Sequence, residues 1–266
     1  MSVAGLFLLS ACSGPPTLQS HSLSQAPTVD GTISEWGGAL TRVGKQSVSM
    51  SAAPTDSLLY LAIVIPDQSL IRSVAKNGLI VWVDPTNQQA HTYGVRYPLG
   101  LRAQRAQQAT SRGGEGAPQK MALEDLFPSD LAIIRNDTVR HRMPAGFSSA
   151  LKVKATLNTG ALVYEMAVPV SSPDGPSATG DAQQHGLQTP LRRSLFVGLV
   201  TPDPDDDSAL MPSSRGVPSV TGRRGGRRTA RGRRRGRQRN QPASPVRTPD
   251  EARLELWTQV SSSGGS

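Results

Sequence analysis

Apolar and polar positions alternate along most of this chain in short runs, and Gly, Pro, Asn, Asp and Ser cluster between the runs. Period-two alternation sends successive side chains to opposite faces, which is the pattern of a strand with one buried side. It predicts strands at Thr28–Ile33, Gln46–Ala52, Ser57–Ile65, Gly78–Asp84 and His91–Tyr97. Further strands are predicted at Leu131–Arg135, Ala150–Leu157, Ala161–Val168, Ser194–Val200 and Ala252–Val260. Short strands divided by turn signals point to an all-β chain, an antiparallel β-sandwich of jelly-roll type. Two helical pieces fit between them, Gln68–Ala75 and Met121–Phe127, the second stopped by Pro128. Arg102–Lys120 and Pro202–Pro249 have no apolar rhythm, so they are expected to carry no fixed structure.

The sandwich is therefore expected over residues 27–260, interrupted by a disordered insertion at 202–249 and followed by a tail at 261–266. After Cys12 no apolar run reaches the ~20 residues that a membrane-spanning helix takes. The formal charge of +9 first suggests a polyanion-binding protein, but the charge is not spread evenly. Between Arg215 and Arg247 stand 12 arginines and no acid; without them, 17 of the 29 basic residues face 20 acids, a net of −3. The body is mildly acidic, and a specific nucleic-acid partner is not expected for it.

Residues 3–11 read Val-Ala-Gly-Leu-Phe-Leu-Leu-Ser-Ala, and Cys12, the one cysteine, follows. Leu9-Ser10-Ala11-Cys12 resembles the lipobox that ends a bacterial lipoprotein signal peptide. Small residues before the cysteine admit the signal peptidase, and the thiol takes a diacylglyceryl group. No Lys or Arg precedes the apolar run. The resemblance implies a leader at 1–11, a lipidated Cys12 carrying acyl chains such as palmitate, and a flexible tether at 12–26. Each buried CH₂ contributes about 0.8 kcal/mol, so two or more chains hold a protein at a membrane. Ser13 is not the aspartate of inner-membrane retention, so the expected address is the cell envelope, at the outer membrane.

A second resemblance lies in the body. Thr28–Trp36 reads Thr-Val-Asp-Gly-Thr-Ile-Ser-Glu-Trp, and Asp30, Gly31, Glu35 and Trp36 match the opening of family-nine-like carbohydrate-binding modules. Asp56–Ala62, Gly78–Asp84, Val163–Pro169 and Leu254–Trp257 are similar to later strands of that family and come in its order. The resemblance implies an antiparallel sandwich and, in the family's characterised members, a glycan ligand held by aromatic side chains. That aromatic pair does not map onto this chain residue by residue, and fold alone does not fix function.

Candidate ligand contacts are read from the aromatics. Tyr93 and Tyr97 stand four apart in one strand, so both face the same side, and Trp82 alternates within Leu79–Val83. These three are the candidates for a sugar-stacking surface; packing in the core is the competing reading for each. Asp203, Asp205, Asp206 and Asp207 form an acidic turn that offers oxygen ligands for Ca²⁺, but it lacks the Gly and distal Glu of an EF-hand. A solvated acidic turn is the simpler reading, and no cofactor is expected.

The four histidines have no metal-ligand spacing, and no nucleophile elbow, phosphate loop or zinc-protease motif occurs. Asp84 and Glu165 would serve a glycosidase if the fold paired them, since such enzymes use two carboxylates. Without a catalytic motif the chain is not expected to be an enzyme. Arg223, Arg224, Arg227, Arg228, Arg231, Arg233, Arg234 and Arg235 lie in a Gly-rich tract with no aromatic residue. Such a tract contacts polyanions without sequence choice. At an envelope these are lipid headgroups, phosphorylated glycolipid or acidic polymers, so a structural or adhesive lipoprotein is the alternative to a glycan-binding module. A low-complexity insertion with no contact is the third reading of the tract.

Overall fold

A computed structural model describes residues 14–23, 25–103, 130–171, 180–190, 194–203 and 252–261. The chain forms an all-β sandwich of one seven-stranded and one six-stranded sheet. The six-stranded sheet is built on the hairpin of β3 (Ser49–Pro54) and β4 (Leu58–Ile65). Thr41–Arg42, β2, borders β3. A ten-residue helix, α1 (Gln68–Asn77), then carries the chain across to the other sheet. Its start is capped by Asp67, whose carboxylate accepts from the amides of Ser69 and Leu70 at 2.8 and 3.0 Å. Leu70, Ile71 and Val74 on one helical face join the core.

The seven-stranded sheet continues with β5 (Ile80–Asp84), β6 (Tyr93–Arg96), β7 (Asp130–Arg135) and β8 (Thr138–Pro144), each antiparallel to the one before it. The chain returns to the first sheet as the hairpin β9 (Lys152–Asn158) and β10 (Ala161–Ser171). A short helix, α2 (Asp181–His185), leads to β11 (Leu187–Pro190), which lies parallel to the end of β10. The last pair, β12 (Ser194–Val200) and β13 (Glu255–Ser261), completes the seven-stranded sheet in the order β1-β13-β12-β5-β6-β7-β8. Here β1 is Thr17–Gln19, parallel to β13.

Alternation explains the layers. Leu59, Leu61, Ile63 and Ile65 of β4 and Leu162, Tyr164, Met166 and Val168 of β10 point inward. They meet Val81, Val83, Leu195, Val197 and Leu199 of the opposite sheet in one core cluster. Burying such side chains contributes roughly 1.5–3 kcal/mol each, the main term holding the sheets together. The other face of each sheet carries its own smaller apolar cluster, around Trp36 on one and around Trp82 on the other.

Three expectations change. The segment taken as tether contains β1, tied to β13 and continued by the Ser20 amide on Ser261 O at 2.9 Å and the His21 amide on Ala52 O at 2.9 Å. Ordered sheet therefore starts before Pro27. Thr28–Ile33 is not a strand but a tight loop ending in a single 3-10 turn at Ser34–Trp36. The sheets are also not wholly antiparallel, since β1 and β11 join in parallel at their edges. The expected helix at 121–127 lies outside the described residues.

Candidate functional site

On the outer face of the seven-stranded sheet, register places Trp257 opposite Gly198, Gly198 opposite Trp82, and Trp82 opposite Gly94. This row runs straight across β13, β12, β5 and β6. The glycines make room for the indoles. A Cβ on Gly198 would stand 2.9 Å from each of three ring carbons of Trp257, so that indole lies face-on over the glycine. A Cβ on Gly94 would stand 2.6 Å from Cε3 of Trp82. Any larger residue at either position displaces a tryptophan.

His91 completes the group. Its ring lies 4.3 Å from that of Trp82 at 15° and 5.8 Å from that of Trp257 at 16°. The three rings are nearly parallel, an arrangement that aromatic quadrupoles favour when offset. Its Nδ1 lies 2.6 Å from Oδ1 of Asp137, in the β7–β8 turn. Asn136 and Asp137 hold that turn with φ of 49° and 57°, the left-handed pair of a tight hairpin.

Asp84 positions the loop that delivers His91. Its carboxylate accepts from Thr86 N at 2.8 Å, Thr86 Oγ1 at 2.6 Å, Gln88 N at 3.0 Å and Ala90 N at 2.9 Å. Burial penalises this carboxylate, but the hydrogen bonds from Thr86, Ala90 and Gln88 outweigh it and hold its pKa below the ordinary 3.8.

The ring group is unequally exposed. Trp82 is 3 % exposed and serves as the base, whereas the His91 side chain is 41 % exposed and Trp257 is partly exposed. Glu255 and Gln259 flank Trp257 on the same face of β13. The result is a stacked aromatic group, partly open to solvent and with a polar rim, able to take the apolar face of a ring-shaped ligand and hydrogen-bond its edge.

The candidates read from sequence are redistributed. Tyr93 and Tyr97 do share a side, but it is the inner one: they are 1 % and 4 % exposed and belong to the core. The Tyr93 hydroxyl donates to His185 O at 2.6 Å, with the Arg135 guanidinium 5.3 Å above its ring. Burial raises the pKa of both hydroxyls. Neither tyrosine can stack on a sugar. Trp82 reaches the platform but lies beneath His91. His91 and Trp257 were not singled out as ligand contacts; the sequence signal for them is the Gly198–Trp257 register, visible only once β12 and β13 are paired.

The carboxylates Asp84 and Glu165 do not meet. Asp84 shares the outer parity of Ile80 and Trp82, while Glu165 shares that of Ala167 on the opposite sheet. They stand on opposite outer faces, so they form no glycosidase pair. Glu165 instead binds the Asp-Gly…Glu-Trp loop. It accepts from Asp30 N at 3.1 Å, Gly31 N at 2.7 Å and Trp36 Nε1 at 2.8 Å. Gly31 adopts a φ of 90°, and a Cβ there would collide with Thr156. Burial raises the pKa of Glu165 despite these three donors.

Of the acidic turn, Asp203 is described and its Oδ1 lies 2.8 Å from Arg253 Nη1; Asp205, Asp206 and Asp207 lie outside the described residues, as do Cys12 and the eight candidate arginines. Among the described residues no group of three or more His, Cys, Asp or Glu is placed to hold a metal. No described helix is long and apolar enough to cross a membrane. Compared with known protein families and with curated proteins, the chain matches no family model and no curated sequence.

Proposed function

We propose that this chain is a non-catalytic binding module of the cell envelope that holds a glycan on the platform of Trp257, His91 and Trp82. The observation that carries the reading is the near-parallel stack of three rings on a sheet face with two of them open to solvent. Pyranose rings present an apolar C–H face and a polar rim, and a flat indole beside Glu255 and Gln259 matches both. The ordered likeness of the strands to carbohydrate-binding modules supports the same reading.

Retention on a panel of immobilised glycans tests it. The wild-type chain is expected to bind at least one, and Trp257→Ala to weaken that binding roughly 30-fold, since a stacking tryptophan contributes about 2 kcal/mol or more. Unchanged melting shows that the variant is folded. A folded wild type that binds no glycan, or a Trp257→Ala variant that binds as well, refutes the platform.

The lipobox supports an anchor at Cys12 within the same proposal. Cys12→Ser in the source bacterium is expected to move the protein from the membrane fraction to the soluble one; retention in the membrane contradicts the anchor. The arginine tract is then a second contact of the anchored module, with anionic polymers or headgroups. The insertion that carries the tract departs from and rejoins the described sandwich beside Thr201 N, which donates to Leu254 O at 2.9 Å, at the same end of β12 and β13 as Val200 and Glu255.

A further inference from the structure

The opposite outer face of the sandwich carries a pocket of about 520 Å³. This lies within the roughly 300–1,000 Å³ of small-molecule sites. Its floor comes from one cross-strand patch. Tyr60 pairs with Ala167 and Leu58 with Pro169, and all four line the pocket. Lys152 pairs with Ala167 from the other side. The row therefore reads Lys152, Ala167, Tyr60, two long side chains on either side of a single methyl, which produces the concavity.

The walls are set before any ligand arrives. One wall is Pro27–Val29. Its amide Thr28 N donates to Glu35 Oε2 at 2.6 Å, and the residues that follow are held on Glu165. The other wall is Ser149–Ala150, the lead into β9. A preformed cavity loses little ordering entropy on binding.

Two observations narrow the occupant. The lining contains one cation, Lys152, and no acid, and among the described residues no ion pair engages Lys152. Tyr60 is 8 % exposed, lines the pocket, and its hydroxyl has no hydrogen-bond partner among the described residues. The hydroxyl is still reached by solvent, so an acceptor on a ligand there replaces a water.

We propose that this pocket binds a small amphipathic carboxylate. The Lys152 ammonium pairs with the carboxylate, the Tyr60 hydroxyl donates to it, and a ring or branched body covers Leu58, Ala167 and Pro169. The site is on the face opposite the aromatic platform and does not depend on the glycan reading.

Calorimetric titration of the full chain with benzoate and phenylacetate tests it, with methyl benzoate as the neutral counterpart. At least one acid is expected to bind saturably with one site per chain. Lys152→Met is expected to weaken that binding at least ~10-fold, since charge-assisted hydrogen bonds are about twice as strong as neutral ones. Tyr60→Phe is expected to weaken it several-fold, the ester to bind at least ~10-fold more weakly than the acid, and Trp257→Ala to leave it unchanged. Lys152 is exposed, so its replacement leaves the fold intact. Absence of saturable binding, equal binding by Lys152→Met, or equal binding of the ester overturns the proposal.

Discussion

Replacing Glu165 with alanine is expected to destabilise the sandwich by about 2–6 kcal/mol, the cost of leaving two buried N–H donors without an acceptor. The residue is 1 % exposed and accepts three N–H donors, from Asp30, Gly31 and the Trp36 indole. Alanine leaves the amide of Gly31 and the indole N–H buried without an acceptor, each costing about 1–3 kcal/mol. Chemical denaturation should show the loss as a lower midpoint, and heating as a fall of roughly 10 °C. Glutamine is no full remedy. Its amide oxygen can face the two backbone donors, but its NH₂ then faces the indole N–H. A Glu165→Ala chain as stable as wild type would show that the loop is not held by this carboxylate.

The second large effect is expected at Asp84. Asp84→Ala removes four hydrogen bonds from the loop that ends in His91, at an expected cost of about 2–4 kcal/mol. The loop amides reach water more easily than those around Glu165, hence the smaller figure. His91 should lose its fixed stack on Trp82, seen as broadened ring signals in an NMR spectrum.

The two acids titrate in opposite senses. Asp84 has its folded pKa below the unfolded 3.8, so its stabilisation is fully present above that value and is lost as pH falls through the lower folded one. Glu165 has its folded pKa above 4.5, so the folded state holds its proton more tightly, and this group favours folding less as pH rises through the raised value. The difference in stability between wild type and Asp84→Ala should therefore shrink below pH ~4. A difference that stays constant down to pH ~2 would contradict the assignment.

Most of the sandwich was legible because its inner faces alternate. β3, β4, β9, β10, β12 and β13 all fall within a few residues of their expected bounds. The misses have physical causes. β1 is three residues in a Ser- and Pro-rich setting, and what makes it a strand is β13, from the far end of the chain. In β8, Thr-Val-Arg-His-Arg-Met-Pro has few apolar positions, and a bulge after Ile133 breaks the pairing rhythm. Thr28–Ile33 has strand-like composition, but its amides go to side-chain carboxylates instead of to a ladder: Asp30 and Gly31 to Glu165, Thr28 to Glu35 and Thr32 to Asp30.

The site was less legible than the fold. Alternation shows that Tyr93 and Tyr97 share a face but not which face. β5 reads Ile-Val-Trp-Val-Asp and is buried at every position, so parity alone does not place Trp82. The platform depends on register across four strands and on two glycines that look, in sequence, like ordinary breaks in a strand.

The most direct test of the platform follows the three indole N–H signals and the His91 ring signals during titration with whichever glycan the chain retains. The Trp257 indole and the His91 ring are expected to shift saturably with the binding curve, while Trp36, on the opposite outer face, stays still. Saturable glycan binding that leaves Trp257 and His91 unmoved would place the site elsewhere and contradict the proposal.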